Sequence, residues 1–343
     1  MHFHVVIIGA GPAGLACAKV LAQNGVKTLL VDKKKEIGSK VCAGGLTWSG
    51  LAQTIPEDLI ERSFPVQHIK TRLQQISVQA PSPIIVTVNR KRLGQFMLEQ
   101  AIACGTEILP ATRLVKVSDH ALILLNTLTN RHLQVTFDYL VGADGSNSLV
   151  RRHLALPSER MGIGINYQIP GQRDRMEWHL DNSSFKNGYG WIFPHRQTLS
   201  VGAYVDRAVM SAQELKQNLI RWAEGLGIDL TQEKCDAGYI NFDYQGWDFG
   251  HIFLAGDAAG LASALTGEGI YPAVVSGEMA ARKIMDPKCN LAPINGLLRK
   301  QRLHAKLVRL TGQNGFANIL LSELAVFGLR VGLLNFRQLE MAE

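Results

Sequence analysis

Three glycines near the start of the chain have the spacing that brings a dinucleotide close to a polypeptide backbone. Gly9, Gly11 and Gly14 follow the β-branched residues 5–8 and precede a segment rich in Ala and Leu. In a strand–turn–helix unit, the first glycine permits a tight turn and the second admits a pyrophosphate. The third glycine lets the helix pack closely on the strand. The spacing therefore predicts a dinucleotide site over a chance glycine turn.

An acidic residue at the end of the next apolar segment extends this site. Asp32 follows residues 27–31, and Lys33 comes directly after it. A carboxylate in this place accepts a hydrogen bond from a ribose 2′-OH, and it would repel the 2′-phosphate of NADP. Pro12 and Ala13 begin the helix, whose free N–H groups and partial positive charge suit a phosphate. These residues favour FAD or NAD over NADP.

A glycine-rich loop at residues 38–46 carries the next reactive side chains. Cys42 could donate a proton or pack as a small apolar residue. Gly44 and Gly45 stand beside it, and adjacent glycines indicate close approach to a ligand, which favours the functional interpretation. Lys40 is equally compatible with a functional position and with a solvent-facing one.

Three aromatic residues alternate along one later segment. Tyr189, Trp191 and Phe193 fall on one face of a strand that Pro194 ends. They could line an apolar pocket or form ordinary sheet core, and the residues alone favour core. Farther along, Asp257 follows Gly256 after an apolar strand and precedes small residues. It could be a helix N-cap, but its small neighbours favour a cofactor contact.

The elements that must position these groups lie in two kinds of segment, which alternate along the chain. Residues 1–65, 90–158 and 250–285 combine apolar strands with helices, and they predict a discontinuous Rossmann-like domain. Residues 66–89 and 159–249 alternate apolar and polar residues, which is typical of antiparallel strands, with one helix at about 211–225. Residues 286–343 are mostly helical. The sequence therefore predicts an α/β fold in which a dinucleotide-binding domain carries an inserted antiparallel β-sheet substrate domain and a helical C-terminus.

Composition narrows the class of protein. The chain has 343 residues, 46% hydrophobic and 19% charged, as expected of an ordered globular protein. Its formal net charge is +7, its basic residues are spread out, and it has no nucleic-acid motif. The five cysteines lack C-x-x-C spacing and no signal peptide precedes the first strand, which predicts a cytoplasmic protein without metal or iron–sulfur sites. The apolar residues 316–336 predict a closing helix or, alternatively, a peripheral membrane contact.

Three tracts in this order resemble the flavoprotein family of p-hydroxybenzoate hydroxylase type. They are the glycine turn with Asp32, the pair Asp144-Gly145, and the pair Gly256-Asp257. In that family, the Asp-Gly tract closes near the FAD pyrophosphate and ribose, and the acid of the Gly-Asp tract contacts the ribityl chain. The resemblance implies FAD as the cofactor. It also implies that Arg92 lies near the FAD phosphates. The residues Gly267, Gly269 and Ile270 resemble the loop whose N–H groups face the flavin N1–C2=O edge.

Two further tracts resemble the geranylgeranyl reductase branch of this family. The loop containing Lys40, Cys42, Gly44 and Gly45 is similar to its Lys-x-Cys-Gly loop beside the flavin, so the resemblance also places Ala43 near the cofactor. The tract from Tyr189 to Pro194, followed by Gly202, is similar to its substrate tract. The family's tract ends in Gly-x-Gly. This sequence departs from it there, because it has Gly202, Ala203 and Tyr204 instead.

The resemblance implies that reduced FAD transfers hydride to C=C bonds of a polyprenyl (geranylgeranyl-type) lipid or diphosphate. A proton would come from Cys42 or water, and electrons from NADPH or a ferredoxin-like protein. Three alternatives stay open: an aromatic monooxygenase or halogenase, an electron-transfer flavoprotein acting on a quinone at the membrane, and a flavin-binding module without turnover.

Overall fold

The computed structural model describes residues 1–38, 42–311 and 315–342. Within them, the strands in chain order are β1 (His2–Ile8), β2 (Thr28–Val31), β3 (Gly45–Thr47), β4 (Ile60–Phe64), β5 (Val66–Lys70), β6 (Gln75–Gln79), β7 (Ile85–Val88), β8 (Glu107–Leu109), β9 (Thr112–Val117), β10 (Ala121–Asn126), β11 (Arg131–Gly142), β12 (Met161–Pro170), β13 (Met176–His179), β14 (Tyr189–Pro194), β15 (Thr198–Asp206), β16 (Cys235–Asn241), β17 (Asp248–Phe249) and β18 (Ile252–Leu254). The helices are α1 (Pro12–Gln23), α2 (Arg90–Ala103), α3 (Leu149–His153), α4 (Asn182–Phe185), α5 (Ala212–Glu224), α6 (Ile270–Met285), α7 (Ala292–Thr311) and α8 (Gly315–Arg330).

The largest sheet holds the predicted dinucleotide turn. Its strand order is β17-β18-β11-β1-β2-β8, and β18, β11, β1, β2 and β8 run parallel. The antiparallel hairpin β9–β10 pairs with the first half of β11. The apolar run of β1 is buried in a core that also contains side chains of α1, α6 and the β9–β10 hairpin. Helix α1 packs tightly on α6, where a Cβ at Gly277 would lie 2.1 Å from the Ala13 carbonyl oxygen.

The second sheet is the predicted antiparallel insertion. Its order is β16-β12-β15-β14-β13-β5-β6, with one parallel pair between β13 and β5. One face packs on α5, which begins at the N-cap Ser211 and buries Leu215 and Leu219 in the same core as Ile192 of β14. The other face carries the aromatic residues of β14 and packs against α8. Both faces are therefore buried, and the two-residue period of β14 divides its side chains between two cores.

A small sheet, in the order β3-β7-β4, joins these two larger ones. Its strand β7 lies within residues 66–89, while β3 and β4 lie within residues 1–65. Only β5 and β6 of the 66–89 segment enter the second sheet. Strand pairing therefore cuts across the predicted boundary at residue 65, and the domain limits remain a prediction.

The C-terminal segment folds back over the two sheets. Helix α8 ends at Arg330, before the predicted limit at residue 336, because Gly332 takes a left-handed φ of +76° and turns the chain. The tail that follows is anchored by Lys300, whose Nζ donates to the carbonyl oxygens of Glu340 and Ala342 at 2.9 and 2.8 Å. None of the helices in the described part of the chain has the length and apolarity needed to cross a bilayer. The predicted fold class, with its parallel Rossmann-like sheet, antiparallel insertion and helical C-terminus, is confirmed.

Candidate functional site

A continuous cavity of about 1520 Å³ runs between the two large sheets. It begins at the β1–α1 turn, passes the loop at residues 42–45, and ends between β14 and α8. A typical ligand pocket has a volume of roughly 300–1,000 Å³, so this cavity has room for a dinucleotide and, in addition, for an apolar molecule. Most of the predicted site residues line it: Gly9, Gly11, Pro12, Ala13, Asp32, Lys33, Cys42, Ala43, Gly45, Asp144, Tyr189, Trp191, Phe193, Gly256, Asp257, Gly267, Gly269 and Ile270.

Each glycine of the β1–α1 turn has a different geometric reason for lacking a side chain. Gly9 has a φ of +107°, and a Cβ there would lie 2.3 Å from the carbonyl oxygen of Ala143 on the neighbouring strand. A Cβ at Gly14 would lie 1.9 Å from the Gly9 carbonyl oxygen, so this residue sits behind the turn, away from the cavity lining. At Gly11, no neighbouring atom lies within 4 Å of the position that a Cβ would occupy. The turn therefore leaves its middle glycine accessible to a ligand.

Asp32 is held rigidly beside this turn. Its carboxylate accepts hydrogen bonds from the backbone N–H groups of Ala10 and Lys34, at 2.7 and 2.8 Å. Ala10 belongs to the glycine turn, so the acid at the end of β2 is tied to the end of β1. This places a carboxylate next to the helix N-terminus, as a ribose beside a pyrophosphate requires.

The Asp-Gly and Gly-Asp tracts meet across the parallel sheet. Ser146 donates its hydroxyl hydrogen to the Asp257 carboxylate at 3.1 Å, which links the end of β11 to the end of β18. Asp144 accepts the Leu149 N–H at 2.7 Å, and burial raises the pKa of its carboxyl group. Its second oxygen, Oδ1, is buried and has no hydrogen-bond partner among the described residues. That oxygen is available to a bound group.

A buried carboxyl group occupies the loop before α6. Glu268 stands between Gly267 and Gly269, and its oxygens accept hydrogen bonds from Thr47 Oγ1 at 3.2 Å and from the Met341 N–H at 3.0 Å. Burial raises the pKa of Glu268 to about 7. The loop therefore brings a group that titrates near neutrality into the cavity, and the sequence analysis did not single it out.

The Cys42 loop is held by residues that sequence reasoning missed. His195 Nε2 hydrogen-bonds to the Ala43 carbonyl oxygen at 3.0 Å, and its Nδ1 contacts the carboxylate of Glu61. This partner lowers the pKa of Glu61. The Gly44 N–H in turn donates to Cys42 Sγ at 3.3 Å. A histidine directly after the proline that ends β14 was the available signal.

The two glycines after Cys42 are required by protein neighbours. A Cβ at Gly44 would lie 2.5 Å from the His195 ring, and one at Gly45 would lie 3.3 Å from the Phe193 ring. The His195 ring therefore explains the glycine at position 44, while the interpretation that the two glycines signal ligand approach stays a prediction. Gly44 is absent from the cavity lining, while Gly45 remains in it. Lys40 lies outside the described residues.

Aromatic side chains form one wall of the cavity. Trp178 of β13 packs 4.7 Å from Phe193 and 5.3 Å from Tyr189, measured between ring centroids. Trp191 donates its indole N–H to Ser200 Oγ at 2.9 Å, and the Tyr189 hydroxyl donates to the Thr266 carbonyl oxygen. The polar ends of these rings are therefore satisfied by the protein, and their apolar surfaces remain for a ligand.

Two residues of the predicted substrate tract lie behind this wall. A Cβ at Gly202 would come 2.2 Å from the Trp191 indole, so Gly202 makes room for that ring. Pro194 accepts a hydrogen bond from Thr87 at 2.9 Å through its carbonyl oxygen and is absent from the cavity lining. Their assignment as ligand contacts is corrected: they support the residues that face the cavity.

Comparison with known proteins assigns this architecture to a family. An FAD binding domain family matches residues 2–169. An uncharacterised protein of Methanosarcina barkeri is 31% identical over 299 residues, which cover 82% of this chain and 74% of the relative. The geranylgeranyl diphosphate reductase of Rhodobacter capsulatus is 27% identical over 300 residues, covering 83% and 75%. The chain belongs to the geranylgeranyl reductase family of FAD-dependent oxidoreductases.

A solved structure supports the same fold. A geranylgeranyl bacteriochlorophyll reductase-like protein from Thermoplasma acidophilum superimposes with a TM-score of 0.75 at 22% identity, covering 94% of this chain and 87% of that one. As a member of this reductase family, the protein is an FAD-dependent enzyme.

The arginine of the predicted FAD site is corrected by the structure. Arg92 is exposed and forms an ion pair with Asp58, with 3.0 Å between Nη2 and the carboxylate oxygen. Arg90 lines the cavity instead. Successive helical residues turn by about 100°, so these two arginines point in nearly opposite directions from the first turn of α2. Sequence position alone did not distinguish them.

The residues of the cavity fit FAD. Arg90 has a buried Nη1 without a hydrogen-bond partner among the described residues, and Asp144 has the buried Oδ1 noted above. Burial lowers the pKa of Arg90, while the nearby Cys42 opposes this shift. Buried polar atoms normally have partners, so a cationic donor, an acceptor and the open space at Gly11 describe a cradle for a polar, anionic cofactor. Bound FAD would place its phosphates at the β1–α1 turn and a ribose at Asp32.

Proposed function

We propose that this enzyme reduces C=C bonds in a polyprenyl chain of the geranylgeranyl type. The observation that carries the proposal is the aromatic wall of Trp178, Tyr189, Trp191 and Phe193, which shares one cavity with the FAD cradle. Such a wall suits a flexible apolar chain because it offers a large contact area without unsatisfied polar atoms. The names of the family's relatives point to the same class of substrate.

The residues of this chain bind the reactants and donate a proton. When bound, reduced FAD supplies the hydride. Cys42 lines the cavity between the cofactor cradle and the aromatic wall, and we assign its thiol as the proton donor to the second alkene carbon. Transfer of this proton leaves a thiolate near the Arg90 guanidinium, and a proton from solvent restores the thiol. The Glu61–His195 pair fixes the loop that carries this thiol.

Anaerobic product analysis tests this function directly. The reduced holoenzyme is incubated with prenyl diphosphates, prenyl glycerolipids and prenylquinones, and mass spectrometry reads gains of two hydrogens per bond reduced. We expect such gains on the prenyl chain. Oxygen-dependent hydroxylation or halogenation would instead support a monooxygenase or halogenase, and quinone reduction with an unchanged chain would support an electron-transfer flavoprotein. Parallel reductions with NADPH and with a reduced ferredoxin identify the electron donor.

Truncation of the wall tests where the chain binds. Trp191→Ala removes a large buried aromatic ring, so we expect prenyl binding to weaken by about 2–4 kcal/mol. The flavin content should stay at one per chain, because Trp191 lies outside the cofactor cradle. Leu128→Ala, an exposed apolar residue on the β10–β11 turn, serves as the control. Loss of flavin and of folding in Trp191→Ala would assign the ring to the core and reject the substrate wall.

We further propose that the rim of the cavity contacts a membrane, from which the lipid enters. Leu303, Leu324 and Leu334 line the cavity and are also exposed, and Phe327 on the same helix as Leu324 is 49% exposed. Exposed basic residues follow along α7, which suits anionic headgroups: Arg302, Lys306 and Arg309. Glu323 does not interrupt this surface, because it accepts hydrogen bonds from Thr71 and Leu73 of the β5–β6 hairpin.

Liposome flotation tests this contact. The holoenzyme should float with anionic vesicles at low salt and less so at high salt. Leu324→Ser with Phe327→Ser should abolish flotation, whereas the matched control Leu128→Ser should not. A wild-type protein that stays at the bottom of the gradient with every vesicle would refute the contact.

A further inference from the structure

The aromatic wall leaves two amide side chains of the cavity lining unexplained. Asn187 lies between α4 and β14, and both its amide Nδ2 and its Oδ1 are buried without a partner among the described residues. Asn318 on α8 is 6% exposed, and its Oδ1 is also unpartnered. Both side chains line the cavity. Buried amides normally find hydrogen-bond partners, so three free atoms in one lining point to a ligand.

The neighbouring polar groups already have partners, which isolates these three atoms. Asn182 of α4 donates to the Lys186 carbonyl oxygen at 2.9 Å and accepts a hydrogen bond from Ser322 at 3.3 Å. The Ser322 hydroxyl has one hydrogen, and it also lies 2.8 Å from the carbonyl oxygen of Asn318 within α8. The contact between Asn182 and Ser322 joins α4 to α8 and uses none of the free atoms of Asn187 and Asn318.

The kinds of free atom identify the kind of ligand. Two are acceptors, the Oδ1 atoms of Asn187 and Asn318, and one is a donor, the Nδ2 of Asn187. A hydroxyl donates one hydrogen and also accepts, so it can satisfy the donor and one of the two acceptors, whereas a diphosphate or a quinone carbonyl offers acceptors only. For Asn187 the match holds in either orientation of the amide, because both of its polar atoms are free.

The charges of the cavity agree with a neutral ligand. Among the described residues that line it, the charged side chains belong to other segments, and none lies on α4 or α8. Lys300 spends its three donors on the carbonyl oxygens of Arg337, Glu340 and Ala342. Arg90 lies beside Cys42. An anionic diphosphate at Asn187 would therefore be buried against two amide oxygens without a cation, which is strongly unfavourable.

We propose that Asn187 and Asn318 bind a free hydroxyl at the head of the prenyl substrate, so that the enzyme selects prenyl alcohols over prenyl diphosphates. This inference rests on the proposed prenyl reduction and specifies its substrate class. The hydroxyl donates its one hydrogen to the Asn318 Oδ1 and accepts from the Asn187 Nδ2, while the prenyl chain follows the aromatic wall.

Equilibrium binding to the oxidised holoenzyme tests the proposal without turnover. The probes are geranylgeraniol, geranylgeranyl diphosphate and a prenyl hydrocarbon without a headgroup, and the readout is tryptophan fluorescence from the aromatic wall. We expect geranylgeraniol to bind at least about tenfold more tightly than either other probe, on the scale of one or two hydrogen bonds. Asn187→Leu should weaken binding of the alcohol about tenfold and leave the hydrocarbon unchanged.

Two further variants keep the test decisive. Asn318→Leu removes one acceptor from α8 and should weaken binding of the alcohol in the same way if Asn187→Leu fails to fold. Asn218→Leu is the matched control, because this amide holds α4 from outside the cavity by donating to the Ser184 carbonyl oxygen at 2.9 Å. It should leave the ratio of alcohol to diphosphate affinity unchanged. Preference for the diphosphate in the wild type, or equal affinities for alcohol and hydrocarbon, would overturn the proposal.

The two proposals fail in distinguishable ways. An enzyme that binds geranylgeraniol through Asn187 but adds no hydrogen to it when the anaerobic assay is run with this alcohol rejects prenyl reduction and leaves the hydroxyl site intact. An enzyme that reduces the diphosphate, with no effect of Asn187→Leu, rejects the hydroxyl site and leaves prenyl reduction intact.

Discussion

Alanine substitutions at Gly11 and Gly14 should separate cofactor binding from folding, although the two residues lie in the same turn. At Gly14, an added Cβ would lie 1.9 Å from the Gly9 carbonyl oxygen, so α1 must move from β1 by more than an ångström. Overpacking of this kind costs about 1–3 kcal/mol, and the better helix propensity of alanine returns about 1 kcal/mol. Because the clash is with backbone, we take the upper figure and expect Gly14→Ala to lower the unfolding free energy by about 2 kcal/mol.

Gly11→Ala should have the opposite profile. Its φ of −78° and ψ of −177° suit alanine, and no atom lies within 4 Å of the added methyl group. Gly11 is the N-cap of α1, so the apoprotein should lose about 1 kcal/mol or less. The methyl group instead occupies the approach to the backbone, where a hydrogen bond to a charged phosphate contributes about 1.5–3 kcal/mol. Loss of one such bond raises the FAD dissociation constant by roughly 10- to 100-fold.

Two measurements on the same proteins decide the matter. Urea unfolding of each apoprotein gives the stability change, and fluorescence titration with FAD gives the dissociation constant. Gly11→Ala should be nearly as stable as the wild type but poor in flavin, and Gly14→Ala should be destabilised. Wild-type FAD affinity in Gly11→Ala would refute the role of Gly11 in cofactor binding. Unfolding of Gly14→Ala at the wild-type urea concentration would refute the packing role of Gly14.

Three other predictions follow from the site. Arg90→Gln should lower FAD affinity about tenfold or more, because the anionic phosphate of FAD loses a buried cationic donor, while the matched Arg92→Gln should not; equal effects in flavin titrations would contradict the corrected assignment. Cys42→Ala should keep its flavin and its reduction by dithionite, but stopped-flow reoxidation by a prenyl substrate should slow by about 10²-fold; an unchanged rate would assign this thiol to packing. Glu268 has a folded-state pKa of about 7 against an ordinary value of 4.5, so the folded protein holds this proton more tightly and its unfolding free energy should fall as pH rises from about 4.5 through 7. Urea unfolding at pH 5 and pH 8 should show this fall, of order 3 kcal/mol, in the wild type relative to Glu268→Gln; parallel pH profiles would contradict it.

Local chemistry made part of this site readable from the sequence. The glycine turn and Asp32 depend on contacts between a strand, the helix that follows it and the next strand, so their spacing carries most of the information. The alternation of Tyr189, Trp191 and Phe193 likewise follows from the two-residue period of a strand, which puts the three rings on one face. The resemblance then ordered these pieces along the chain. The structure brings all of these residues except Gly14 into one cavity lining.

Long-range packing decided the rest. Arg90 and Arg92 share one helical turn, and only the position of Asp58 and of the cavity shows which arginine points inward. Gly44 makes room for His195, which is distant from it in the sequence. Gly202 makes room for Trp191, which lies opposite it on the neighbouring strand.

The sequence by itself determined which residues could hold a dinucleotide, because turn and helix geometry act over a few neighbouring residues. Only the tertiary structure decided which side chains face the second ligand and which polar atoms remain free to bind it. Asn187 and Asn318 belong to no motif, and their significance arises from burial without partners. Burial depends on the packing of α4 and α8 against the second sheet, and a linear pattern of residue types does not contain that information.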